Sequence, residues 1–246
     1  MLLAIDIGNT LTKFGVFEND TLQSRTAVPT VRRQNADEIY RPEIQNIHGV
    51  IISSVVPELN DAYRKSFQKY YQLEPLFVDS SFDFNLQIKY NPPEKLGVDR
   101  LTAAFAAVEK YGAPCIVGDF GTATTIDAVN SKREFLGGII APGMQTMSDA
   151  LFLKTSQLPQ IKIRKPESVI GNSTEKAIES GIYFGYVGLV DGIVERMIAE
   201  LGETPKIVAT GGFAKIIAET SEKIEIVDDD LMLDGLRLIY ENKLRR

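Results

Sequence analysis

The chain opens with an apolar run, Met1-Leu2-Leu3-Ala4-Ile5, that meets Asp6 at once. Such a run predicts a short buried strand ending in a polar turn. The same design returns later. Leu3-Ala4-Ile5-Asp6-Ile7-Gly8-Asn9-Thr10-Leu11-Thr12-Lys13-Phe14-Gly15-Val16 and Ile116-Val117-Gly118-Asp119-Phe120-Gly121-Thr122-Ala123-Thr124-Thr125-Ile126-Asp127-Ala128-Val129 each show an apolar run, Asp-x-Gly, a polar turn and a second apolar run. The two aspartates stand 113 residues apart in a chain of 246, so each half is expected to open with a strand, turn, strand unit. Two similar α/β domains follow from that repeat.

Other segments agree. Gly49 to Val56 reads as a strand stopped before Pro57, and Ile207-Val208-Ala209-Thr210-Gly211-Gly212 as a strand whose glycines allow close backbone approach. Leu101, Phe105 and Val108 at helical spacing predict a helix from Asp99 to Lys110, closed by Gly112-Ala113-Pro114. That turn sets the expected division into residues 1–114 and 115–246. The longest helix is predicted from Thr174 to Leu201, with Asn172 and Glu175 at capping-box spacing. Within it Gly181, Gly185, Gly188 and Gly192 recur every three or four residues, at about 0.8 to 1 kcal/mol each relative to alanine. Such a stripe implies close packing, either on the chain's own sheet or on a second subunit. Tyr90 to Gly97 and Pro159 to Gly171 read as loops.

Composition narrows the class. With 44% apolar residues and 21 aromatics (12 Phe, 9 Tyr), the chain can bury a full core, which excludes disorder as its main state. The balance of 27 Lys and Arg against 33 Asp and Glu, a net charge of −6, argues against broad nucleic-acid binding. One cysteine, Cys115, and one histidine, His48, supply neither an internal disulfide nor the usual zinc ligands. No apolar run reaches the length of a membrane span or signal segment, so a soluble protein of the reducing cytoplasm is expected. His48 reads as a strand-end residue, Cys115 as inert packing, and Met144 and Met147 as core or wall residues.

The chemistry concentrates at the turns. An aspartate at the end of a buried strand, followed by glycine and small polar residues, surrounds a phosphate-sized space with backbone N–H groups and hydroxyls. Its carboxylate can hold a cation. No Walker-type G-x-x-x-x-G-K-[ST] segment occurs. Asp6-Ile7-Gly8-Asn9-Thr10 alone is compatible with an ordinary turn, but Asp119-Phe120-Gly121-Thr122 repeats it. Gly97-Val98-Asp99-Arg100 stands at a helix start, where Asp99 can serve as a cap or, beside the Arg100 fork, handle the proton of an anionic substrate.

The paired turns resemble the phosphate clamp of the duplicated ribonuclease H-like superfold shared by actin, heat-shock chaperone ATPases and sugar kinases, which implies nucleotide in an interdomain cleft. Asp6 to Thr10, Gly97 to Arg100, Asp119 to Thr125, Gly137-Gly138-Ile139-Ile140-Ala141-Pro142-Gly143 and Gly171-Asn172-Ser173-Thr174 together resemble the type III pantothenate kinases along the whole chain. That resemblance implies transfer of the γ-phosphoryl of ATP to the primary hydroxyl of pantothenate, the first step of coenzyme A synthesis. It implies nucleotide contacts at Asp6, Ile7, Gly8, Asn9, Thr10, Leu11, Thr12, Lys13 and Thr122, with Asp99 as proton acceptor. It further implies pantothenate contacts at Tyr90, Gly97, Val98, Asp99, Arg100 and Thr174, Mg²⁺ with ATP, a monovalent cation (K⁺ or NH₄⁺) at Asp119, and a homodimer. Another small-molecule kinase of the superfold and a ligand-sensing regulator remain the alternatives, since fold does not fix the acceptor.

Overall fold

The computed structural model describes residues 1–44 and 46–244. The chain forms two compact units: residues 1–85, 91–106 and 230–246, and residues 86–90 and 107–229.

In the first unit β1 (Leu2–Ile7), β2 (Leu11–Glu18) and β3 (Thr21–Pro29) form an antiparallel meander, and β4 (Gly49–Ser54) lies parallel to β1. With β5 (Leu76–Phe77) the sheet order is β3-β2-β1-β4-β5. Alternate residues of a strand face opposite sides. Leu3, Ile5 and Ile7 with Phe14, Val16, Val50 and Ile52 therefore bury one face against Leu59, Tyr63 and Phe67 of helix α1 (Pro57–Tyr71). Asp6 falls on the other face, where the last helix of the chain, Leu231–Leu244, is seated: a Cβ at Gly15 would lie 3.0 Å from Leu233, and one at Gly49 would overlap the Tyr240 hydroxyl at 2.0 Å.

The second unit repeats the plan. β7 (Cys115–Phe120), β8 (Ala123–Val129) and β9 (Glu134–Pro142) form the meander, while β10 (Lys206–Thr210) and β11 (Ile226–Val227) extend it in parallel beyond β7. β6 (Gln87–Ile88) adds an edge strand, giving β11-β10-β7-β8-β9-β6. Apart from β6, both sheets run in the order third, second, first, fourth, fifth strand, so the duplication visible in two short motifs extends to topology. Helix α2 (Val98–Tyr111) leads from the first unit into the second; α3 (Met144–Lys154), α4 (Thr174–Leu201) and α5 (Ala214–Ala218) belong to the second, and Leu231–Leu244 is α6. Ile116, Phe120 and Ile126 pack on Tyr183, Tyr186, Val190 and Val194 of α4. Among the described residues α4 is the one helix long and apolar enough to cross a membrane, and half of its most apolar window is buried.

Four expectations change. The repeat is a three-stranded meander rather than a hairpin, because β3 is a solvent-facing edge strand with no apolar alternation. The units are not the contiguous halves 1–114 and 115–246, because α6 completes the first sheet. The cap of α4 is Ser173, whose hydroxyl accepts the Lys176 N–H at 3.3 Å, and not Asn172. Finally, a Cβ at Gly181, Gly185 or Gly188 would meet nothing within 4 Å, so the glycine stripe does not pack on the chain's own sheet.

Candidate active site

The first turn is built on the ladder of β1 and β2. Asp6 ends β1 half-buried and pairs with Lys13, while the Gly8 N–H donates to the Leu11 carbonyl at 3.1 Å. Asn9, Thr10 and Leu11 are exposed at its tip. Ile7 is fully buried, so only its backbone can meet a nucleotide. Thr12 also turns inward and lies 2.9 Å from the Thr30 hydroxyl. Because the Thr30 hydroxyl donates to the Gly8 carbonyl at 2.8 Å, its proton is used, and Thr12 is the donor of that pair. The Thr30 N–H donates to Thr10, and Arg32 donates to the Asn9 side chain at 2.9 Å. Thr30 and Arg32 thus brace the turn.

Gly97-Val98-Asp99-Arg100 stands at the start of α2 in the same unit. One oxygen of Asp99 accepts the Arg100 N–H at 2.8 Å, and the Gly97 carbonyl accepts the Leu101 N–H at 3.2 Å. The carboxylate is half-buried in the first turn of the helix. A Cβ at Gly97 would lie 2.4 Å from that oxygen, so residue 97 leaves Asp99 room. Arg100 is 7% exposed.

The second turn is one residue shorter: Asp119 pairs with Thr125, and Gly121 donates to Ala123 at 3.1 Å. Its rigidity comes from residues distant in sequence. The Thr122 carbonyl accepts both the Gly143 N–H at 2.9 Å and the Thr146 hydroxyl at 2.6 Å. Gly143 fits because it has no Cβ, which would stand 2.1 Å from the Gly121 carbonyl oxygen. Below the turn, buried Thr124 hydrogen-bonds Tyr186 of α4. Burial pushes the Tyr186 phenol above its ordinary value, the Thr124 bond lowers it, and the Asp119 charge raises it further. Burial also pushes the Cys115 thiol up to about 12, so it is inert at neutral pH.

Thr174 is exposed at the first turn of α4 and lines an open apolar groove of about 940 Å³ with Pro142, Met147, Leu151 and Gly181. Thr146 lines it too, which brings Thr174 into the neighbourhood of Thr122. Tyr90 stands apart, against Gly137 of β9, where a Cβ would lie 3.4 Å from its ring.

Both aspartates have hydroxyl neighbours. Asp6 is in register with Ser53 of β4, and Asp119 with Thr210 of β10. Both hydroxyls are buried with no hydrogen-bond partner. Carboxylate and hydroxyl oxygens without nitrogen or sulfur suit hard cations such as Mg²⁺ and K⁺. The described residues hold no group of three or more His, Cys, Asp or Glu placed for a metal, so phosphate or neutral oxygens must complete any coordination shell. The donor set fits a cation that arrives with nucleotide.

Two units of one topology, each with an aspartate at the end of its first strand and a braced glycine turn after it, define the duplicated ribonuclease H-like class of phosphotransferases and ATPases. A protein described as a candidate 2-dehydro-3-deoxygalactonokinase from Sinorhizobium meliloti shares the fold, with a TM-score of 0.60, 12% identity and 99% of each chain covered. So does one described as a candidate Baf-family transcriptional activator from Campylobacter jejuni, with a TM-score of 0.61, 20% identity, and 99% of this chain and 100% of that one covered. Residues 2–196 match the family model of type III pantothenate kinases. The chain belongs to that family. It is 44% identical to the type III pantothenate kinase of Koribacter versatilis over 98% of this chain and 95% of that one, and 41% identical to that of Halalkalibacterium halodurans over 99% and 100%.

Proposed function

We propose that Asp99 accepts the proton of the acceptor hydroxyl in an ATP-dependent kinase whose reaction, as its family membership establishes, is phosphorylation of the primary hydroxyl of pantothenate in coenzyme A biosynthesis. The hydroxyl oxygen attacks the γ-phosphorus, the bond from that phosphorus to the β-phosphate oxygen breaks, and ADP leaves as the proton passes to the Asp99 carboxylate. Asp6 to Lys13 and Thr122 bind the nucleotide, and Tyr90, Gly97, Val98, Arg100 and Thr174 contact pantothenate. A divalent metal bound with ATP, and a monovalent cation at Asp119, would supply neutralisation of phosphate charge. The protein's own share is then positioning by preformed N–H groups, since phosphoryl transfer leaves little covalent chemistry to the enzyme.

The observation that carries this reading is the repeated strand-end aspartate and turn, braced in each unit by side chains remote in sequence. A homodimer through the open glycine face of α4 and a cytoplasmic location belong to the same reading. The test is ADP formation with pantothenate against a panel of sugars and hydroxy acids. Pantothenate-dependent turnover supports it. Turnover with another acceptor alone, or none with any, would sink it, the latter in favour of a ligand-sensing protein.

A further inference from the structure

Among the described residues, six buried side-chain polar atoms lack a hydrogen-bond partner, and two of them, Ser53 Oγ and Thr210 Oγ1, occupy equivalent places in the two units. Each is the last or penultimate residue of the fourth strand of its sheet, in parallel register with the strand-end aspartate of the first. Residues paired this way project from the same face of adjacent strands about 4.8 Å apart. Ser53 therefore stands beside Asp6, and Thr210 beside Asp119. Thr210 is 1% exposed. The chain then folds closely around the carboxylate: Gly211 has φ +95°, and a Cβ there would lie 2.4 Å from Asp119 Oδ1.

A buried hydroxyl with no partner is unfavourable, and valine would fill the same space without that cost. A hydroxyl nevertheless occurs at this register position in both units. An orphan oxygen beside a carboxylate, in a site poor in other charged ligands, matches the demand of a hard cation for neutral oxygen donors. We propose that the Thr210 hydroxyl is an oxygen ligand, beside Asp119, for a hard cation bound together with the nucleotide phosphates. This rests on the reading of Asp119 as a cation-binding residue.

The experiment follows thermal unfolding of the full chain with an uncleavable ATP analogue at constant ionic strength. One arm exchanges choline chloride for KCl with Mg²⁺ fixed, and the other titrates MgCl₂ with K⁺ fixed. The parent melting temperature should rise in at least one arm. Thr210→Val should melt about 2 to 4 °C higher than the parent without nucleotide or added cation, because the orphan is removed. It should then need at least about tenfold more of that cation for the same stabilisation, a difference of about 1.4 kcal/mol. Thr210→Ser should restore the response. The arm that changes identifies the ion as monovalent or divalent. Thr210→Val responding like the parent in both arms, while Asp119→Asn does not, overturns the assignment of Thr210 and leaves Asp119 standing. If Asp119→Asn also responds like the parent, the cation reading of Asp119 fails with it. A lower melting temperature of Thr210→Val without cation would make the hydroxyl structural and overturn the proposal.

Discussion

Replacing Asp99 by asparagine separates capping from proton transfer, because the two roles depend on different properties of one side chain. The bond from the Arg100 N–H to Asp99 Oδ1, 2.8 Å long, needs an oxygen acceptor, and the Asn amide oxygen supplies one of the same shape. Asparagine serves at helix starts about as well as aspartate, so the bond is kept. Lost is the charge against the helix dipole, about 0.3 to 1 kcal/mol for a side chain in the first turn. For a chain of this size that lowers the melting temperature by about 1 to 4 °C. The amide nitrogen cannot take a proton, so a general base is removed outright, at about 10² to 10⁴ in kcat. Loose phosphoryl transition states with late proton transfer favour the lower end. The assay pairs melting temperature and ATP-analogue affinity with steady-state turnover on pantothenate. Turnover within about threefold of the parent, with stability in the stated range, would refute the catalytic role and leave Asp99 as a first-turn acidic residue of α2.

Gly143→Ala places a Cβ 2.1 Å from the Gly121 carbonyl oxygen; the displaced turn should weaken ATP-analogue binding at least about tenfold and destabilise by about 1 to 3 kcal/mol, and calorimetry showing parent affinity would contradict it. Light scattering should give about twice the chain mass of 27.3 kDa, as a two-fold dimer requires. Gly185→Leu, whose Cβ would point into open space, should give a folded monomer with helix propensity improved by up to about 1 kcal/mol, whereas an intact dimer would exclude this face from the contact. Cys115 keeps its proton up to about 12 when folded but loses it near 9 when unfolded. Between those values the unfolded state binds fewer protons, so stability falls as pH rises. The parent should lose about 1 kcal/mol more than Cys115→Ala between pH 9 and 10 in urea unfolding, and parallel curves for the two proteins would contradict it.

What the sequence disclosed follows from how local each signal is. The Asp-x-Gly turns of Asp6 and Asp119 were legible because apolar runs flank them on both sides, and α4 because its pattern persists over 28 residues. Its glycine stripe was legible too, though not the fact that the stripe faces away from the sheet. β3 carried no signal, since TLQSRTAVP is polar and mostly exposed. Thr30 and Arg32, which brace the first turn from β3 and the residues after it, went unread for the same reason. Gly143 was part of a quoted motif, but its role depends on Thr122, a residue on another strand. Thr210 showed the same limit: its neighbours' glycines advertised close approach, while the orphan hydroxyl becomes visible only when β10 is registered on β7. Placement of α6 required the fold as a whole, because an amphipathic terminal helix can cover either of two similar sheets.

That helix gives synthesis an order. β1 leaves the ribosome long before α6, yet the face bearing Leu2, Ala4 and Gly15 stays uncovered until Leu231 to Leu244 are made. The intervening unit, residues 107–229, is contiguous apart from one short edge strand and has its own apolar core, so it can collapse while the N-terminal sheet still waits. Nascent chains therefore carry a half-covered sheet until α6 is made, open to chaperones and to pairing with other chains. Helix α6 closes the sheet that β1 began.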